Sequence, residues 1–164
     1  MLLKGFWTFL LGVLFVYLQV LIMPALRILG VTPLLLLPWL IYVVWTRDQV
    51  VALPVAFLVG LMYDTLNPST FGMHALIFCL LAILINVLRI PFEQDSVVAK
   101  LIAISSSNLI FSLLSFVGMG IAWGFEGKLF RLSLGAFFYN LIFSLLIFAL
   151  MQLISRLRLI IIHD

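Results

Sequence analysis

Long apolar runs alternate with short polar breaks along this chain, and the breaks set the number of elements. The runs cover residues 5–23, 31–45, 50–63, 71–88, 97–123 and 130–154. Runs of about 20 apolar residues are long enough to cross a bilayer as helices. The second and third runs fall short of that length. Read as one helix, they would bury Arg47 and Asp48 at mid-membrane depth, at a cost of several kcal/mol, roughly 2.5–3.5 per charge on insertion scales. Two short spans with Arg47 and Asp48 at the turn between them are therefore expected. Pro33, Pro38 and Pro54 lie in these two runs and predict bent or locally broken helices, which lipid tolerates only where neighbours satisfy the freed carbonyls.

The breaks have ordinary turn chemistry. Pro24, Arg27, Gly30 and Pro33 mark the first connection, with room for a short interfacial segment at residues 25–29. Asp64 to Gly72 contains Asn67-Pro68 and ends in glycine, a turn by composition. Residues 89–95 and 123–128 form the next two breaks, and the tail from Arg156 suits a membrane surface. A basic start followed by an apolar core also describes a signal peptide. No small-x-small cleavage site follows Met23, so a retained span is the expectation.

Composition agrees with this pattern. Of 164 residues, 66% are apolar and 9% carry charge, against about half and a quarter in soluble domains. A soluble domain of this size could not hide so much apolar surface. The expected fold class is all-α: one polytopic integral membrane domain with six transmembrane helices. Charge then sets the orientation. Lys4, Arg47, Arg89, Lys100, Arg156 and Arg158 share one side, and Arg27, Lys128 and Arg131 the other. The positive-inside rule places both termini in the cytoplasm. Trp7, Trp45 and Trp123 are candidate interface anchors, as is Trp39, for which a position too deep in its run is the alternative.

The candidate chemistry is sparse. Asp64 ends an apolar run and meets no basic residue before Arg89. It reads as a buried carboxylate paired with another helix, or as a cap on the following turn. His74 lies close enough in sequence to hydrogen-bond it, but the two are too few for a structural zinc site. Ser105, Ser106, Ser107, Asn108, Ser112 and Ser115 form a polar band in the fifth run. Small and hydroxylated residues suit close helix packing, with a solute-lined cavity as the alternative. Gly120 and Gly124 have small-xxx-small spacing. Gln19, Asn86, Asn140 and Gln152 are isolated amides suited to bonding a neighbouring helix or the interface. Cys79 is the one cysteine, so no internal disulfide or cysteine metal site is possible. No phosphate-binding loop, His-Glu-x-x-His or Gly-x-Ser-x-Gly is present. No metal site, cofactor or catalytic residue is expected. Nucleic-acid binding has no support without a water-exposed basic patch.

The segment Gly60-Leu-Met-Tyr-Asp64-Thr-Leu-Asn67-Pro68-Ser-Thr-Phe71-Gly72-Met-His74-Ala75-Leu76 resembles the rod shape-determining MreD family of bacteria. The family pattern falls on Gly60, Asp64, Phe71, Gly72, Ala75 and Leu76. The proline-rich second run, the chain length and the span count also fit. The resemblance implies a non-enzymatic inner-membrane subunit of the lateral cell-wall elongation machinery. It implies work beside a bitopic MreC-like protein, with MreB filaments, RodA and a class B penicillin-binding protein as direct or indirect partners. It further implies a bundle similar to the substrate-binding subunits of energy-coupling-factor transporters, which keeps a small-solute-binding transport subunit as the alternative. On this reading the Asp64–Gly72 turn fixes spans three and four, while Arg47, Arg89, Arg156 and Arg158 face cytoplasmic partners or lipid headgroups.

Overall fold

The computed structural model describes residues 2–66, 68, 71–90 and 96–161; within these, the side chains of Leu2, Lys4, Met151, Gln152 and residues 154–161 lie outside the description. Six α-helices are present and no strands among the described residues: α1 (Leu2–Leu21), α2 (Leu36–Thr46), α3 (Gln49–Asp64), α4 (Met73–Arg89), α5 (Val97–Trp123) and α6 (Gly127–Ile161). A 3₁₀ turn, Met23–Leu26, follows α1, with Pro24 in its first turn, where a missing N–H costs nothing. By length and composition, two helical stretches are long and apolar enough to cross a membrane, Val97–Trp123 and Gly127–Leu150. The other four helices are shorter and apolar.

The centre of the fold is α2, which touches all five other helices. Nine of its eleven residues are buried, leaving Tyr42 and Thr46 at the surface. A helix apolar all round belongs in an interior. Trp39 packs on Phe15 of α1 with ring centroids 6.0 Å apart. Gly12 gives that ring its space, since a Cβ there would stand 2.8 Å from the indole and 2.5 Å from Val59. Trp39 and Trp45 are thus core residues, 3% and 8% exposed, rather than the expected interface anchors; Trp7 and Trp123 are exposed. The richest helix contact is α3 on α4.

Pro33 and Pro38 act differently from expectation, and Pro54 does not break its helix. The second run starts helical structure only at Leu36, so residues 31–35 are not helical. Pro38 is the third helical residue and sits in the first turn, whose N–H groups have no intrahelical partner in any helix. It marks the start of α2 and does not break it. Pro54 lies inside α3, which runs without interruption from Gln49 to Asp64. Between α1 and α2 the chain reverses through Leu29 (φ 50°) and Gly30 (φ 86°), where Ile28 and Val31 exchange backbone hydrogen bonds of 3.0 and 2.9 Å. The sixth helix also differs. It continues to Ile161, where a separate surface tail was expected after residue 154.

Gly120 and Gly124 do not pack two helices together. A Cβ at Gly120 would strike the Phe125 ring, which folds back on α5. Gly124 closes α5 with φ 92°, a conformation open to glycine and strained for other residues.

Candidate functional site

The first turn of α4 leaves backbone N–H groups without intrahelical partners. The residue that would ordinarily cap them is Gly72, which has φ 87° and no side chain to offer. Asp64 supplies the cap from the end of α3. Its Oδ1 accepts from the His74 N–H at 3.2 Å and its Oδ2 accepts from the Ala75 N–H at 3.0 Å. The same Oδ1 lies 2.7 Å from His74 Nδ1. Asp64 is fully buried, so a carboxylate here needs these donors.

Gly60 makes the approach possible. A Cβ on it would lie 2.7 Å from Ala75 Cα, 2.9 Å from Ala75 N and 3.0 Å from the His74 carbonyl. All three are backbone atoms, so α3 and α4 touch main chain to main chain one turn before Asp64. Gly60, Asp64, Gly72, His74 and Ala75 therefore form one corner. Phe71 and Leu76 lie on its outside, 60% and 65% exposed, and Pro68 is exposed. Asn67 lies outside the described residues.

Aromatic rings surround His74. Tyr63 meets it edge-on with centroids 4.8 Å apart, and Phe78 and Phe111 stand at 6.3 and 6.2 Å. Beyond the imidazole, a recess of about 300 Å³ opens between the turn at Gly30, α5 and α6. Ser112, Ser115 and Ser133 are among its lining residues. Ser112 Oγ donates to the Ser133 carbonyl across a long 3.4 Å, and Ser115 Oγ is buried with no partner among the described residues. With Asp64 as carboxylate, Nδ1–H donates to it and Nε2 is left as an acceptor. No serine or cysteine is hydrogen-bonded to His74 among the described residues. No group of three or more His, Cys, Asp or Glu comes together among them either.

Side chains from other helices also hold both ends of α2. Gln19 of α1 donates from Nε2 to the Pro33 carbonyl at 2.9 Å and accepts from the Leu35 N–H at 2.6 Å. Asn140 of α6 accepts from the Leu34 N–H at 2.9 Å. At the other end, Arg89 Nη1 lies 2.8 Å from the Val44 carbonyl and 3.2 Å from those of Trp45 and Arg47. These carbonyls end α2, where a cation is favoured. The sequence marked Arg89 and Arg47 as basic residues on one side; the structure brings Arg89 onto the Arg47 main chain and leaves the Arg47 side chain half-buried. The side chains of Arg156 and Arg158 lie outside the described residues.

The serine band divides. Ser107 and Asn108 are buried, and Ser105 faces outward. Ser144 of α6 donates to Asn108 Oδ1 at 3.4 Å. Asn140 and Ser144, four residues apart, are the two α6 residues buried among those described, so polar contacts tie this helix to the bundle. Asn86 donates to Gln49 Oε1 at 3.0 Å.

A family model described as rod shape-determining protein MreD matches residues 2–160, and the match takes in the Gly60–Ala75 corner and both ends of α2. The chain belongs to the MreD family. No curated protein and no solved structure matches it. The expected likeness to energy-coupling-factor subunits thus has no support, while a role in rod shape determination follows for this MreD-family chain from its membership.

Proposed function

We propose that this chain is a non-enzymatic, multi-pass subunit of the bacterial inner membrane that scaffolds the rod-shape machinery through an MreC-like bitopic partner. The observation that carries the reading is the family match over residues 2–160. MreB, RodA and a class B penicillin-binding protein complete the proposed partner set, directly or through that partner. All six helices cross the bilayer in this reading, as one integral domain with both termini cytoplasmic.

Three features support the membrane part. Large apolar side chains are exposed along α1, α5 and α6, among them Leu14, Leu113, Val117, Ile142 and Leu146, a surface that water would not tolerate on a monomer. The charged residues Arg47, Asp48 and Arg89 sit at helix ends on one side, and Arg27, Glu126 and Lys128 at helix ends on the other. The short α2 is about 16 Å long, and the non-helical residues 31–35 precede it, with Pro33, Leu34 and Leu35 buried. Gln19 and Asn140 satisfy the backbone groups of that segment, the condition under which irregular chain persists at membrane depth.

The Asp64 corner is a structural lock in this reading: it holds α3 and α4 at one fixed angle and presents a rigid face to the partner. Depletion in the native bacterium, scored for cell shape and for recovery of the complex in mild detergent, tests it. Rounded cells and loss of an MreC-like partner from the complex are expected. Unchanged shape, no cell-wall partner and a defect in uptake of a solute would instead make the protein a transport subunit.

A further inference from the structure

We propose that the recess beside His74 binds the neutral, hydrogen-bonding head of a small amphiphile. The inference rests on the recess alone and holds whichever partner the subunit scaffolds.

The lining chemistry selects the ligand. His74, Ser112, Ser115 and Ser133 are its polar residues and none of the described residues lining it is charged; Arg27 stands at its Gly30 edge, outside the lining, with Nη2 3.9 Å from where a Cβ on Gly30 would lie. An anionic head needs arginine or lysine, and a cationic one needs a free carboxylate. Asp64 stands behind His74, but its oxygens are taken by the His74 N–H, the Ala75 N–H and His74 Nδ1. A neutral head remains. His74 Nε2 accepts, and Ser115 Oγ is a buried hydroxyl without a partner, an arrangement that is costly unless something bonds to it. One hydroxyl or amide of a ligand can donate to Nε2 and accept from Ser115. The long Ser112–Ser133 contact leaves a second hydroxyl easily recruited. Phe111, Met119, Leu129 and Leu132 supply apolar wall. A volume of about 300 Å³ is at the small end of ligand sites, so it admits a head and the start of a chain. A membrane glyceride and a free polyol share this chemistry.

The test uses the full chain in phosphatidylcholine nanodiscs with ¹⁵N-labelled histidine, so that the His74 ring nitrogens report directly. Monoolein, a glycerol head on one acyl chain, is expected to shift the Nε2 resonance saturably and leave the Nδ1 signature of the Asp64 bond in place. Ser115→Val should weaken the monoolein response about tenfold, the loss of one hydrogen bond of some 1.4 kcal/mol. Ala136→Leu, which fills the recess from α6, should abolish it while keeping the Nδ1 signature. Saturation by free glycerol at similar concentration would assign the site to a soluble polyol, and saturation by monoolein alone to a lipid. The proposal is overturned by no saturable shift with either probe, by an undiminished shift in Ala136→Leu, or by a Ser112→Cys cross-link in cells that captures a polypeptide in the recess.

Discussion

Gly60 sits so close to Ala75 that a methyl group on it would lie 2.7 Å from the Ala75 Cα. The obstacle is main chain and has no rotamer to turn aside. Gly60→Ala should therefore push α3 from α4 and lengthen the Asp64 bonds to the α4 N-terminus. Overpacking of this kind costs about 1–3 kcal/mol. Reversible unfolding in detergent reads the loss. Because Gly60 and Asp64 act on one contact, Gly60→Ala combined with Asp64→Asn should cost less than the sum of the two. Strict additivity would mean that the glycine and the carboxylate serve separate contacts.

Asp64 serves two backbone donors with two different oxygens. Asparagine keeps one oxygen and turns an NH₂ group toward the other donor, so Asp64→Asn should lose about 1–2 kcal/mol of stability. Asp64→Ala leaves both N–H groups without their acceptor and should cost more, at least about 2 kcal/mol. Amide hydrogen exchange at His74 and Ala75 localises the effect. Unchanged protection of those two amides in the alanine variant would remove the capping role.

Gln19 and Asn140 reach the same three-residue segment from α1 and α6. Gln19→Leu should leave the Pro33 carbonyl and the Leu35 N–H unpaired, and Asn140→Leu the Leu34 N–H, each change costing about 1–3 kcal/mol. Once one clamp is gone the segment shifts, so the double variant should fall short of the sum when measured in a thermodynamic cycle.

The proposed six-span topology has a direct readout. In a Cys79→Ala background, a cysteine at exposed Phe71 and one at exposed Thr46 lie at opposite ends of α3. A membrane-impermeant maleimide should label Phe71→Cys in intact spheroplasts and Thr46→Cys only after permeabilisation. Failure to label Thr46→Cys in either condition would put residues 31–63 into one span.

Six helices were legible in the runs because a break containing Arg47-Asp48 or Asn67-Pro68 cannot lie at the centre of an apolar interior. The corner residues Gly60, Asp64, Gly72, His74 and Ala75 all lie within the family-like segment, and capping was one of the two readings of Asp64. Less visible was the division of labour among the prolines. Whether Pro38 breaks a helix or opens one depends on where the first turn falls, and tertiary contacts from Gln19 and Asn140 set that register. Trp39 illustrates the same limit. Its amphipathic ring suits an interface by type, but the space left by Gly12 on another helix draws it into the core. The role of Arg89 was hidden for a similar reason: the carbonyls it meets lie more than forty residues earlier in the chain.

Arg89 Nη1 lies within 3.2 Å of three carbonyls at the end of α2, and this makes charge and hydrogen bonding separable. A cation at a helix C-terminus contributes roughly 0.3–1 kcal/mol when exposed and up to about 2 when partly buried. Arg89 is half-buried, so the larger figure applies. Arg89→Lys keeps the charge with a single donor head and should retain most of the stability. Arg89→Gln keeps a donor without charge and should retain less. Arg89→Ala exposes all three carbonyls and should lose about 2 kcal/mol. The same order should appear in limited trypsin digestion after Arg47, because loosening the end of α2 opens the Arg47–Asp48 turn to the protease. A lysine variant cleaved as fast as the alanine variant would show that the planar fork, not the charge, holds the turn.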